Sequence, residues 1–373
     1  MRLSLIPHVL IFFLLILSLA MKPSPYRWLI WPVITSCVFA QLYNNPTNDP
    51  RVDALLRTAL LAYTFVASDY IILTDVQHEL HQDGWHEPIS SAPMSVRIQW
   101  AIELLCNPRG VGWSHEPKSA LPPRPQHLTR SRFIMSQLSW LALYILAADI
   151  GNTLTVHTCV FTKHSVPMAL QPWHWRVFGV VLFTMCSVSY ISMIHITLSI
   201  ISVGLGISDP QSWPYMFGKW TETYTVRNFW SRTWHQILRR FLYSHGKHLA
   251  RCLHLPTGSK GSALVQLFTA FIISGIIHIH PAETRPMYFF IAQAFVIIFE
   301  EIIITVAKRA GYTSLSKLHK AMGYSWVLCW FTLSIPGFLD AMIESGLVDS
   351  PFDIGIASSI LRLLPKHTTF SHC

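Results

Sequence analysis

Two short segments of this chain place reactive side chains at usable spacings. The first runs Arg227-Asn228-Phe229-Trp230-Ser231-Arg232-Thr233-Trp234-His235-Gln236, with Arg239-Arg240 close behind. On a continuous helix, Trp230, Trp234 and Leu238 share one face at i, i+4, i+8. Arg232, Gln236 and Arg240 make a second row, and His235 with Arg239 a third. Such a helix suits a membrane interface, where indoles prefer to lie. Its arginines also suit phosphate, which a guanidinium fork binds at two points. The second segment is Phe271-Ile272-Ile273-Ser274-Gly275-Ile276-Ile277-His278-Ile279-His280-Pro281. Here a histidine sits in an uncharged apolar run. Ionisable groups at membrane depth are costly and are therefore functional suspects. An uncharged neighbourhood is expected to keep His278 neutral, and a neutral imidazole can take a proton from an alcohol. Ser274 lies four residues earlier on the same face, and Gly275 leaves room for a substrate or a helix. The alternative is a core histidine bonded to a neighbouring helix, as expected of His195.

The elements that must position these residues follow from composition. The chain has 373 residues, 51% hydrophobic and only 13% charged. A soluble domain carries roughly 25% charged residues, and a disordered chain has low hydrophobicity and high charge, so both classes are excluded. A bilayer-spanning helix needs about 20 apolar residues. Eight stretches approach that: Leu3–Ala20, Trp28–Leu42, Ala54–Leu73, Phe133–Leu154, Val177–Ser208, Gly261–Ile279, Met287–Ala307 and Tyr324–Ile343. The fold class expected is all-α, a multi-pass transmembrane bundle of about eight spans forming a single domain over residues 1–373. The fifth stretch exceeds one span and predicts tilt, an extension out of the membrane, or a break near Gly204 and Gly206. Ser18-Leu19-Ala20 has the look of a signal cleavage site, and a retained anchor is the alternative. No repeat at a fixed period is visible, nor two matching halves with broken helices, which counts slightly against a transporter.

Net charge is +9, with 19 His and 14 Trp. With eight spans, 20 of the 28 Lys and Arg fall in loops on one face, which predicts that both termini are lumenal and the two long basic loops cytosolic. Interleaving of basic residues with spans argues against nucleic acid as a partner. An anionic cytosolic substrate is the functional reading of that face. If the sixth span starts at Gly261, His278 lies about 25 Å along it, toward the lumenal side. The seven cysteines are scattered without a C-x-x-C pair, so neither a zinc ribbon nor a disulfide framework is indicated, and small buried hydrophobes are expected. His78-x-x-His81 and His245-x-x-His248 suggest a histidine-box oxidoreductase, but the further ligands such a site needs are missing. Glu300, Glu301, Asp149 and Asp340 would line a transporter's ion path, or be paired structurally.

In this order, the two segments resemble the wax synthase branch of the membrane-bound O-acyltransferases. They are most similar to the fungal wax-synthase-like acetyltransferases of terpenoid and meroterpenoid biosynthesis. Trp213-Pro214-Tyr215-Met216-Phe217-Gly218, after Asp209-Pro210, carries part of the match. Arg227 to Gln236 looks like the family's arginine, Phe-Trp, then Arg-x-Trp-His-Gln motif, and Ser274-Gly275-Ile276-Ile277-His278 like its Ser-Gly-x-x-His. A weaker fourth segment is Trp100-Ala101-Ile102-Glu103-Leu104-Leu105, then Pro108-Arg109-Gly110-Val111-Gly112-Trp113. The resemblance covers roughly residues 95–280.

It implies transfer of an acyl group from a coenzyme A thioester to an alcohol, most simply from acetyl-CoA to a hydroxylated terpenoid or meroterpenoid in secondary metabolism. A long-chain acyl-CoA and a fatty alcohol, giving a wax ester, is the alternative. His278 would be the general base, and His235 or Asn228 would stabilise the oxyanion or position the thioester. Arg227, Arg232, Trp234, Gln236, Arg239 and Arg240 would hold the coenzyme, and Trp230, Ser274 and Gly275 the acceptor. The acyl-CoA is a co-substrate, with no prosthetic group and no metal expected. The partners expected are the bilayer, acyl-CoA and a hydrophobic alcohol, in the endoplasmic reticulum; oligomeric state is left open.

Overall fold

The computed structural model describes residues 6–44, 49–85, 87–126, 128–162, 165–279, 283–312, 316–348, 355 and 359. Its helices, in order, are α1 (Ile6–Ala20), α2 (Ile30–Asn44), α3 (Pro50–Ser68), α4 (Val76–Glu79), α5 (Met94–Cys106), α6 (Arg130–His157), α7 (Trp173–Gly204), α8 (Val226–Asn228), α9 (Arg239–Cys252), α10 (Lys260–Ile277), α11 (Arg285–Arg309), α12 (Lys317–Ser334) and α13 (Pro336–Glu344). Among the described residues there is no β-strand, only an isolated bridge between Gln82 and Trp113. Six helical stretches are long and apolar enough to cross a bilayer: 50–73, 130–157, 173–204, 260–277, 285–309 and 317–344. They fall on the last six stretches expected. The first two form shorter apolar helices, 8–20 and 27–42. The chain is thus an all-α integral membrane protein.

Local chemistry sets the helix ends. Asp49 accepts from the amides of Arg51 and Val52 ahead of Pro50, so α3 opens with a capped first turn. Thr129 caps α6 and Ser259 caps α10 in the same way. The 32-residue α7 runs unbroken and ends where glycine allows it. Gly206 takes φ +73°. Its amide donates to Val203 and that of Ile207 to Ser202, a Schellman close that only a residue tolerant of positive φ completes cheaply. Pro336 separates α12 from α13, since it supplies no N–H to the ladder.

Two compact units emerge, residues 1–119 with 237–294, and residues 120–236 with 295–373. In the first, α1 packs on α2 and α5, α2 on α3, α3 on α10, and α10 on α9. Leu15, Leu19 and Ala20 are fully buried, and the Gln77 amide donates to the carbonyls of Leu19 (2.6 Å) and Met21 (2.7 Å). The end of α1 that resembled a cleavage site is therefore built into this unit's core. In the second unit α6 lies against α7. Gly151 of α6 faces Cys186 of α7, with no space for a side chain between them.

Candidate functional site

His278 stands at the C-cap of α10, one residue past the helix rather than inside it. Its Nδ1 lies 2.7 Å from the Ser274 carbonyl oxygen. A carbonyl can only accept, so Nδ1 carries the proton and Nε2 bears the lone pair. The Ser274 hydroxyl turns away and donates to Ala270 (2.9 Å); the serine serves His278 through its backbone. The imidazole faces the Phe290 ring at 4.8 Å. A Cβ on Gly275 would come 2.6 Å from Met287 Sδ, so the room at this glycine is filled by α11.

Helix α9 runs antiparallel along α10. Gly246 abuts Gln266, where an added Cβ would sit 2.9 Å from that residue's Cα. Phe241 packs on Ile273 and Ile277. This brings the first turn of α9, Arg239 and Arg240, beside the end of α10 that carries His278. Burial lowers the Arg239 pKa. Arg240 is tied down: its Nε donates to Asp69 Oδ2 (3.2 Å) and its Nη2 to Thr74 Oγ1 (2.9 Å), while Thr74 donates to Asp69 Oδ1 (2.8 Å). Asp69 is fully buried in a π-helical turn, Asp69–Leu73, that ends α3.

Residues 226–240 do not form the single helix expected. A turn of α8 passes into a π turn over Phe229–Thr233, closed by Trp234 N donating to Phe229 O (2.7 Å). The chain is then extended at Trp234 and resumes as helix only at Arg239. Two contacts account for the break. The Gly218 amide donates to the Thr233 carbonyl (2.9 Å), and its backbone lies so close that a Cβ there would be 2.0 Å from the Arg232 carbonyl oxygen. The buried Gln236 side chain donates to the carbonyls of Trp230 (3.1 Å) and Trp234 (2.6 Å). It replaces donors the broken helix no longer supplies. π turns recur at functional sites. The predicted rows of Arg232, Gln236 and Arg240, and of His235 and Arg239, therefore do not exist. The aromatic cluster survives by another route: Phe229 stacks on Trp234 (5.2 Å), Trp230 meets Trp234 edge-on (6.1 Å), and His235 lies between Trp234 (5.5 Å) and Phe217 (6.3 Å).

Glu300 and Glu301, which the sequence left as ion-path or structural residues, hold this segment, together with Glu222, which it did not flag. Glu300 accepts from the amides of Val226 (2.7 Å) and Arg227 (3.1 Å) and from Trp326 Nε1 (2.8 Å). Arg227 pairs with Glu301 (2.8 Å) and Arg232 with Glu222 (3.1 Å), both exposed. The Asn228 side chain donates to the Glu222 carbonyl (3.0 Å). Arg227, Asn228, Trp230, Arg232, Trp234, His235 and Gln236 belong to the second unit, and Arg239, Arg240, Ser274, Gly275 and His278 to the first.

The rival patterns resolve into local bonds. Asp340 accepts from the amides of Met168 (2.6 Å) and Ala169 (3.2 Å); like Glu300, it holds backbone. His245 bonds Ser68 (2.6 Å) and the Phe241 carbonyl (2.7 Å), while His248 faces Cys252 and His78 faces Asp75. No group of three or more His, Cys, Asp or Glu among the described residues is arranged as a metal site. His195 bonds the Pro214 carbonyl (3.1 Å), a structural role as expected. Cys106 and Cys252 are exposed, contrary to the expectation of burial. His280 and Pro281 lie outside the described residues.

The sequence pattern of the membrane bound O-acyl transferase family matches residues 213–286, which takes in all three principal motifs. Acetyltransferase ple2 of Rhodocybe pseudopiperita is 35% identical over 90% of each chain. Acetyltransferase eriL of Hericium erinaceus is 28% identical over 93% of each. O-Mevalon transferase macI of Penicillium terrestre is 27% identical over 73% of this chain and 69% of its own. No solved structure matches. With that identity sustained along nearly the whole chain, and the motifs in their family order, the protein belongs to the membrane-bound O-acyltransferases and is an integral membrane acyltransferase.

Proposed function

We propose that the protein moves an acetyl group from acetyl-CoA to a hydroxyl of a lipophilic terpenoid or meroterpenoid in the endoplasmic reticulum, with His278 as general base. The observation that carries this reading is the Nδ1–Ser274 bond, which fixes the tautomer whose Nε2 can take a proton. The hydroxyl gives its proton to Nε2 and its oxygen attacks the thioester carbonyl. The C–S bond breaks, and the thiolate leaving group recovers the proton from the imidazolium. His235 and Asn228 are assigned to the carbonyl oxygen. Arg227 and Arg232 are assigned to coenzyme phosphates, since their exposed carboxylate partners are worth only ~0–1 kcal/mol each and can be exchanged. Arg239 and Trp234 are assigned to the coenzyme and Trp230 to the acceptor, while Arg240, Gln236, Ser274 and Gly275, whose side chains or space are already taken up within the fold, are assigned supporting roles. The names of two similar proteins, both acetyltransferases, favour acetyl; that of a third, an O-mevalon transferase, indicates that the acyl group varies among relatives.

The test supplies membranes bearing the protein with acetyl-CoA or palmitoyl-CoA and a panel of sterol, fatty and terpenoid alcohols. Ester formation from acetyl-CoA and a terpenoid alcohol is expected, and His278→Ala should lower kcat by about 10²–10⁴-fold. Full activity in that variant would remove the general base. A palmitoyl-CoA and fatty-alcohol preference would replace the reading with wax-ester synthesis.

A further inference from the structure

A cavity of about 380 Å³ lies outside the motifs just described, between residues 77–89 and one side of α5, wholly within the first unit. Helix α5 divides into three faces. Arg97, Trp100, Ala101 and Leu104 are buried. Met94, Ile98 and Ile102, at i, i+4, i+8, form an exposed apolar strip. Val96, Gln99 and Glu103 line the cavity between them. An exposed aliphatic strip on a helix of a membrane protein suits lipid, so the cavity opens beside a lipid-compatible surface.

The walls are held firmly. Asp83 N donates to Gly112 O and Ser114 N to His81 O, both at 2.8 Å, and Ser114 Oγ donates to Glu79 O (3.0 Å). Gly110 and Gly112 take φ +63° and +77° to make that return. Trp113 packs on Trp100 at 6.1 Å, and the Trp100 indole lines the cavity. The Arg-Gly-Val-Gly-Trp segment thus braces this wall.

The lining states what fits. Trp85 and Trp100 supply flat apolar faces, while Gln99 and Glu103 supply hydrogen-bonding groups. Gln99 donates to Glu103 (2.9 Å), as does Gln82. Gln77 is spent on the Leu19 and Met21 carbonyls, so a hydroxyl in the cavity would meet Gln99 and Glu103. No Lys or Arg lines the cavity and two glutamates do, so a coenzyme's phosphates are unwelcome there. The volume lies in the range of small-molecule sites, ~300–1,000 Å³. We propose that this cavity loads the acceptor: a neutral, largely apolar molecule bearing a hydroxyl, which leaves the bilayer along the Met94–Ile98–Ile102 strip. The assignment of the occupant as acceptor rests on the acyl-transfer reading above.

The probe is a diazirine-bearing farnesol, photolysed with the full-length protein in nanodiscs without acyl donor and read by peptide mass spectrometry. Label is expected within residues 77–103, displaced by unlabelled farnesol. Gln99→Trp, an exposed position whose indole would fill the cavity, should cut the label about tenfold and raise the acceptor KM about tenfold, with the acyl-CoA KM unchanged. Val96→Trp fills the same space from another position, and is used if Gln99→Trp lowers the melting temperature. Label confined to other peptides, label undiminished in a folded filling variant, or a rise in acyl-CoA KM instead would overturn the proposal. Labelling is read without turnover, so a protein that labels here yet transfers no acyl group would refute the proposed reaction and leave the cavity as an alcohol site.

Discussion

The His278 Nδ1 donates to a carbonyl of its own helix, which leaves Nε2 as the proton acceptor the proposed reaction needs. Within the Ser-Gly-x-x-His motif, residue 274 thus supplies a carbonyl that any residue has, and Gly275 admits α11. Asp69 is the opposite case, a buried carboxylate whose stability depends on one distant cation. Asp69→Ala would leave the Arg240 guanidinium half-enclosed and unpaired, at a cost of about 3–5 kcal/mol. The melting temperature in detergent should fall accordingly, and Asp69→Ala with Arg240→Met should fall less than Asp69→Ala alone. His115 supplies a pH response. Burial, then the nearby Arg240 charge, lowers its pKa from 6.5 to about 4. Both ring nitrogens are buried without partners. The folded state keeps this imidazole neutral while the unfolded chain protonates it below about 6.5. Its contribution is thus complete above that pH and is lost as pH falls toward 4, by at most about 3 kcal/mol. Melting at about pH 7.5 and 4.5 should show a smaller drop for His115→Gln than for the parent.

Among elements, the turn at Phe229–Thr233 is held from outside by Gly218, Gln236 and Glu300. Gly218→Ala forces a Cβ onto the Arg232 carbonyl and must displace backbone. The expected result is about 1–3 kcal/mol of lost stability together with reduced transfer in the membrane assay. A variant with parental melting and parental activity would show that the close approach is dispensable. The sequence suggested one helix because tryptophans spaced by four satisfy a helical period. Period alone is blind to a neighbouring strand of backbone that takes the carbonyls first.

For the whole molecule, the +9 charge and the exposed pairs at Arg227 and Arg232 would give the proposed coenzyme binding an electrostatic component. Raising ionic strength from about 0.05 to 0.5 M shortens the screening length several-fold. The acyl-CoA KM should rise with salt while the acceptor KM stays flat; salt-independent acyl-CoA KM would remove Arg227 and Arg232 from the phosphate site. The sequence by itself marked the apolar runs, though it counted about eight spans where six of the described helices are long enough to cross, and it marked the family motifs, because each is written in consecutive residues: a bilayer demands a long apolar run. For α7 it left tilt, an extension or a break open, and the structure chose an unbroken helix closed at Gly206. Only the tertiary structure decided the partners. Asp69 meets Arg240 across 171 positions, and Glu300 meets the amides of 226 and 227 across more than 70. Those carboxylates were visible as charges within apolar runs, but which backbone or cation would neutralise each was not. Burial makes an unpaired charge intolerable without specifying its partner; that choice is made by the helices that pack beside it.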